Sequence, residues 1–206
     1  MPHSNRHILR LDRHGWLQPA PDTSLAASPN FDQRPPGQDA SLLVLHNISL
    51  PPGKFGGPEV ADFFLNRLNH EGHPFLASLR GVRVSAHFFV RRDGGIVQFV
   101  STLDRAWHAG ASLFEGRARC NDFSVGIELE GADALPYEDA QYAALAALTQ
   151  ALRLRHPLRA VRGHEHIAPG RKTDPGPAFD WPRYAQDTGW LPHQLPEALR
   201  GRRQPI

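Results

Sequence analysis

The sequence predicts a mixed α/β fold: a central β-sheet of mixed strand direction, flanked by helices. Three observations carry this expectation. Short apolar or alternating runs of strand length recur along the chain. Stretches with helical spacing lie between them, and Gly- and Pro-rich loops separate the two kinds. Such interleaving suits one sheet with helices packed on it.

The elements follow in order. Residues 1–40 are rich in Pro, Ser, Asp and Gln and read as an extended N-terminal arm packed on the domain. Leu42 to His46 is a short apolar run that predicts a strand buried on both faces and ending at His46. Pro58 then suits a helix start, since its missing N–H is one of the unpaired donors there. Val60, Phe63, Phe64 and Leu68 follow helical spacing. Ser85 to Val90 and Ile96 to Val100, joined by a glycine turn, predict an antiparallel hairpin. Phe123 to Glu130 alternates, with Val125, Ile127 and Leu129 on one face and Gly126, Glu128 and Glu130 on the other. Glu138 to about Arg155 predicts a long helix striped by Tyr142, Leu145, Leu148 and Leu152, and stopped by Pro157. Residues 161–180 read as mostly loop, and residues 189–206 as a C-terminal tail after a catalytic unit of 41–188.

Composition narrows the classes. A length of 206 residues fits one domain. No run approaches the roughly 18 apolar residues of a membrane span. The first sixteen residues carry charges throughout and no apolar core of a secretory signal, so a cytoplasmic location is expected. Cys120 is the only cysteine, which suits a reducing compartment. A net charge of +2 with scattered arginines and no long basic face argues against nucleic acid as a partner. The chain is expected to act as a monomer, away from membranes.

Chemistry concentrates in a few places. A catalytic zinc site needs three protein ligands and an open fourth position. His46, His164 and Asp174 are candidates, but a hydrogen-bonded core histidine or a polar loop explains the same residues. His166 competes with His164 by type alone. Glu128 reads either as a general base or as a solvated strand carboxylate. Lys172 is one of only two lysines in the chain, Lys54 being the other.

Five segments add a resemblance: LLVLHNISLPPGKFGG (42–57), RVSAHFFVRRDGGIVQFV (83–100), RAWHAG (105–110), GRARCNDFSVGIELEG (116–131) and HIAPGRKTDPGPAFDW (166–181). Together, from about Ser28 to about Tyr184, the chain resembles the AmpD-type N-acetylmuramyl-L-alanine amidases, within the wider peptidoglycan-recognition and phage-amidase group. The resemblance implies that fold, zinc (Zn2+) as cofactor, and a muropeptide substrate bearing 1,6-anhydro-N-acetylmuramic acid. It places the zinc ligands on His46, His164 and Asp174, the acid/base on Glu128 and the oxyanion-stabilising cation on Lys172. It places the peptide's carboxylates against Arg83 and Arg119, further peptide contacts on Asn47 and the backbone at Ala168, and the sugar on Trp107. His166 falls outside the ligand set, behind a ligand or facing solvent, His108 and Cys120 take structural roles, and His87 either supports a ligand or is simply buried and hydrogen-bonded. The reaction implied is hydrolysis of the amide between the muramyl lactyl group and L-alanine, in cytoplasmic wall recycling. Two alternatives stay open: an amidase of intact peptidoglycan, and a receptor that binds without cutting.

Overall fold

The computed structural model describes residues 8–197; the outer ends of the expected arm and tail, 1–7 and 198–206, lie outside them. In chain order the elements are β1 Thr23–Leu25, β2 Phe31–Gln33, β3 Leu42–Ile48, α1 Glu59–Phe64, α2 Pro74–Ser78, β4 Phe88–Val90, β5 Ile96–Gln98, β6 Asp104–Ala106, β7 Leu113–Phe114, β8 Arg117–Ala118, β9 Ser124–Glu130, α3 Asp139–Arg155, β10 Ala160–Gly163, α4 His164–Ile167 and α5 Trp181–Thr188. Six strands form the central sheet in the order β1-β5-β4-β9-β3-β10. β4 and β5 are the antiparallel hairpin, and every other neighbour pair is parallel. The chain thus has the expected mixed sheet with flanking helices.

The alternation in β9 sorts its two faces. Val125, Ile127 and Leu129 join Leu43 and Leu45 of β3 beneath α3, whose Tyr142, Leu145, Leu148 and Leu152 are all buried. Fully burying a leucine stabilises by roughly 1.5–3 kcal/mol, so this stripe fixes the helix to the sheet. α3 starts on a reciprocal cap: the Glu138 N–H donates to Gln141 Oε1 at 3.1 Å. Gln141 Nε2 also donates to the Glu130 carbonyl at 3.0 Å, which ties the helix start to the end of β9. Phe179, Trp181 and Tyr184, around α5, complete this core. On the opposite face α1 and α2 cover β4 and β5 through Val60, Phe63, Phe64 and Leu76.

Five details extend or depart from the sequence reading. β3 runs two residues past His46, because its pairing with β9 continues to Ile48. α1 ends at Phe64 although Leu68 is buried; Asn66 takes φ 57°, a left-handed conformation that stops the helix and that Asn tolerates. Residues 160–167 are a strand and a helical turn instead of loop. Ala160–Gly163 owes its strand form to pairing with β3, a tertiary effect that four residues cannot announce. Within the segment expected as an arm, β1 pairs with β5 and closes one sheet edge, β2 pairs with β6, and Leu9 and Leu17 enter the main core. In the expected tail, Trp190 and Leu195 are buried in that core.

Leu148→Ala removes a fully buried side chain between α3 and the sheet. The expected cost is about 2–5 kcal/mol, read from urea denaturation. A loss below about 1 kcal/mol would mean that α3 is not held by this stripe.

Candidate active site and metal centre

The site grows from the carboxyl ends of three parallel neighbours, β9, β3 and β10, where open α/β sheets collect ligands. The register puts His46 of β3 directly beside Glu128 of β9. Parallel pairing gives the two side chains one face. β10 ends at Gly163 and the chain turns at once into α4, so His164 emerges next to β3. A Cβ at Gly163 would meet Pro175 Cδ at 2.6 Å, so only glycine lets the 174–175 segment lie this close. That approach is fixed by the Glu165 N–H, which donates to the Asp174 carbonyl at 2.9 Å.

Three ligating atoms converge as a result. His46 Nδ1 lies 3.0 Å from His164 Nδ1 and 3.0 Å from Asp174 Oδ2, and His164 Nδ1 lies 3.1 Å from the same oxygen. They are the group of His, Asp, Glu and Cys residues in the described chain suited to hold a metal ion. A tetrahedral zinc with ligands at about 2.0–2.1 Å separates neighbouring ligand atoms by about 3.3 Å. The triangle needs to open by only a few tenths of an ångström.

Protonation suits the same purpose. Burial, followed by the Asp174 hydrogen bond that partly opposes it, holds His46 at about 4, so its imidazole is neutral at pH 7. Burial alone would raise Asp174, but the hydrogen bonds with His164 and His46 outweigh it and hold the carboxyl well below the usual range. His164 Nε2 lies 3.1 Å from the Ala109 carbonyl, an acceptor only, so a proton on Nε2 is satisfied there and Nδ1 can give up its contact with Asp174 to present a lone pair to a metal. Two neutral imidazoles and a carboxylate are the ligand states a divalent metal requires.

Glu128 is buried, and its Oε2 has no hydrogen-bond partner. Burial, reinforced by the Asp174 charge and offset by Lys172, pushes its carboxyl well above the ordinary value. A buried acceptor left unpaired is costly and marks a place where a proton donor or cation belongs. The donor set, its spacing and this orphaned oxygen all fit a resident divalent cation.

These groups form one end of a cleft of about 520 Å3. Asn47, Trp107 and Lys172 also line it. Asn47 Nδ2 donates to Asp133 Oδ1 at 2.8 Å and to the Pro175 carbonyl at 3.1 Å. Trp107 Nε1 donates to Asp32 Oδ2 at 2.7 Å, which fixes the indole. Ala168 is buried; its N–H donates to the His164 carbonyl, and its own carbonyl accepts from Arg171 and Lys172, so it shapes the turn that presents Lys172. The cleft lining does not include Arg83 or Arg119. Arg83 edges a smaller depression behind Val82, and Arg119 is 72% exposed and pairs with Asp122 at 3.3 Å. His166 lies outside the triangle, with Nδ1 accepting the Gly163 N–H at 2.9 Å and its ring against Trp181. His87 is buried, and its Nδ1 accepts the Gly126 N–H at 3.0 Å. Sequence reasoning passed over Asp133, which carries no motif spacing, and the apolar wall of the cleft built by Phe63, Phe75, Leu79 and Val82. Helical spacing marked Phe63 as core, and only packing shows that it also faces the cleft.

With that geometry in hand, comparison with known proteins decides the family. The N-acetylmuramoyl-L-alanine amidase family model (Amidase_2) matches residues 36–177. The chain belongs to the N-acetylmuramoyl-L-alanine amidase family. It is 56% identical over 172 residues to the 1,6-anhydro-N-acetylmuramyl-L-alanine amidase AmpD of Salmonella typhimurium (strain SL1344), covering 82% of this chain and 90% of that amidase. A crystal structure of an Se-Met AmpD derivative superimposes with a TM-score of 0.82 at 52% identity, covering 86% of this chain and 98% of that one. The amidase AmiD from E. coli, in complex with anhydro-N-acetylmuramic acid-L-Ala-D-gamma-Glu-L-Lys, gives a TM-score of 0.52 at 30% identity, covering 87% and 65%.

The buried histidines of this amidase set its acid stability. Burial is the leading cause that holds His46, His156 and His166 at about 4, and His87 and His108 well below the ordinary value. Each stays neutral in the fold while the unfolded chain gains a proton near pH 6.5. Their contribution is therefore present above that pH and lost as pH falls toward about 4. Glu128, Asp104 and Glu165, all raised by burial, act in the opposite sense, three groups against five. The urea midpoint of the metal-free protein is expected to fall between pH 6.5 and 4; a midpoint that rises would contradict the assignment.

Proposed function

We propose that this amidase is zinc-dependent and cleaves the amide between 1,6-anhydro-N-acetylmuramic acid and L-alanine in small muropeptides, in cytoplasmic wall recycling. The observation that carries the reading is the triangle of His46, His164 and Asp174 set beside Glu128 at one end of the cleft. The substrate comes from relatives: the similar AmpD proteins are 1,6-anhydro-N-acetylmuramyl-L-alanine amidases, and AmiD is seen with an anhydro-muramyl tripeptide. A single, buried cysteine suits the reducing compartment.

His46, His164 and Asp174 would hold the ion. When bound, zinc supplies Lewis acidity, which acidifies water and polarises a carbonyl. The residues of the chain do the rest. Glu128 takes a proton from the attacking water as its oxygen bonds to the lactyl carbonyl carbon. It returns that proton to the alanine nitrogen as the C–N bond breaks, leaving a carboxylic acid and an amine; the acid's proton, the second from water, then passes to the amine to give carboxylate and ammonium. A carboxyl raised by burial is suited to both transfers, and such a group typically supplies about 10²–10⁴-fold. The Lys172 ammonium offsets the negative charge growing on the carbonyl oxygen; losing such a donor commonly costs about 3–4 kcal/mol of barrier.

For the substrate, we place the sugar on Trp107 and further peptide contacts on Asn47 and the backbone at Ala168. Arg83 and Arg119 meet carboxylates of the stem peptide beyond the cleft wall, where a planar guanidinium pairs with two oxygens at once. The support for Arg83 is its place between Val82 and Val84, both in the cleft lining. For Arg119 it is the matching motif and an exposed side chain.

Incubation with an anhydro-muramyl tripeptide and with intact peptidoglycan, each with and without a zinc chelator, tests the reading. Chelator-sensitive release of tripeptide from the small fragment, with little action on the wall, is expected. Cleavage of intact wall would move the function to remodelling or lysis, and no cleavage of either would favour a receptor. Glu128→Gln is expected to keep zinc and lose about 10²–10⁴-fold in turnover; near-normal turnover would remove Glu128 from the mechanism. Arg119→Ala is expected to weaken full stem peptides more than a substrate cut after L-alanine. An equal loss on both would mean that Arg119 does not read distal carboxylates.

A further inference from the structure

His108 lies outside the proposed ligand set, yet it is built into the wall behind it. Its ring sits edge-on to His46, with centroids 5.0 Å apart. His108 Nδ1 lies 2.9 Å from His46 Nε2, and its Nε2 lies 3.1 Å from Ser124 Oγ. All three residues are buried. The backbone fixes the ring from behind, because the His108 and Ala109 N–H groups both donate to Asn121 Oδ1, at 3.2 and 2.8 Å. The space the ring fills is left by Gly126: a Cβ there would meet His108 ring atoms at 2.4–2.7 Å.

Only two proton arrangements satisfy this chain of neutral rings. In one, His46 Nε2–H donates to His108 Nδ1, and His108 Nε2–H donates to Ser124 Oγ. In the other every bond reverses: the Ser124 hydroxyl donates to His108 Nε2, His108 Nδ1–H donates to His46 Nε2, and His46 carries its proton on Nδ1, where it faces Asp174 Oδ2 at 3.0 Å. The second arrangement blocks the atom that would ligate a metal. The first frees it. The two differ by no net proton, so the chain passes between them without taking up or releasing charge.

We infer that His108 is a positioning residue for the metal site, accepting the His46 Nε2 proton in the arrangement whose Nδ1 lone pair is free for the ion, with Ser124 as the reversible end of the relay. The inference rests on the metal reading above. A partner on the far nitrogen of a ligating histidine typically accounts for about 10–100-fold in metal affinity. His108→Leu removes the acceptor and leaves His46 to keep its proton on Nδ1 against Asp174. His108→Asn keeps an acceptor oxygen on the same carbon that bears Nδ1.

Zinc dissociation constants from competition with a chromophoric chelator, together with melting of the metal-free proteins, test this. His108→Leu is expected to bind zinc about 10–100-fold more weakly than the unaltered protein. His108→Asn should stay within about threefold, a difference of the size of one neutral hydrogen bond. A folded His108→Leu protein that binds zinc within about twofold of the original overturns the inference, as does an Asn variant as weak as the Leu variant. Should His108→Leu not fold, His108→Asn carries the test, and an affinity about tenfold or more below the original there overturns it. An unaltered protein that takes up no zinc sinks the metal reading itself, whereas uptake unaffected by His108→Leu sinks only this inference.

Discussion

The site depends on three potential ligand atoms held about 3.0 Å apart at the wall of the cleft, on two buried histidines and a part-buried aspartate. Two histidines and an aspartate would not gather there without cause. Burying an ionised carboxylate costs several kcal/mol unless its charge is met. Here the Asp174 carboxylate faces the two imidazoles of His46 and His164, and the neighbouring Glu128 oxygen has no partner. A divalent cation answers both deficits. The scaffold supplies the geometry: parallel pairing sets His46 beside Glu128, the end of β10 delivers His164, and the close approach over Gly163 brings Asp174.

The rest of the fold serves that junction. On one face of the sheet, the α3 stripe buries β3 and β9 and keeps their register, and a one-residue slip would turn Glu128 away from His46. On the other face, α1 and α2 leave an apolar wall that gives the cleft a dry side opposite its charged end. Dry walls strengthen the electrostatic interactions on which a buried acid/base and a cation depend. The N-terminal segment takes part as well: Asp32 holds the Trp107 indole, and Arg34 is buried against the carbonyls of Asn121, Asp122 and Ser124.

Much of this was legible in the sequence, for physical reasons. Strict alternation from Phe123 to Glu130 placed Glu128 opposite the core face, and the apolar run before His46 announced a buried strand. The stripe of Tyr142, Leu145, Leu148 and Leu152 marked α3 because a buried helix face repeats every three to four residues. The ligand trio was only one of several choices among twelve histidines until the segment resemblance selected it. What stayed hidden was tertiary in origin. Four residues at 160–163 become a strand only because β3 is there to pair with them. The parallel edge strand at Thr23–Leu25 is likewise short and set by its neighbour. Asp133 and the relay through His108 are matters of spatial contact, and no spacing along the chain encodes them.

The most direct measurement of the central claim is zinc-edge X-ray absorption on the zinc-loaded protein. The account predicts a four-coordinate ion with nitrogen and oxygen neighbours at about 2.0–2.1 Å, outer-shell scattering from two imidazole rings, and no sulfur. A sulfur shell, which only Cys120 or Met1 could supply, would contradict it, and so would any number of imidazoles other than two.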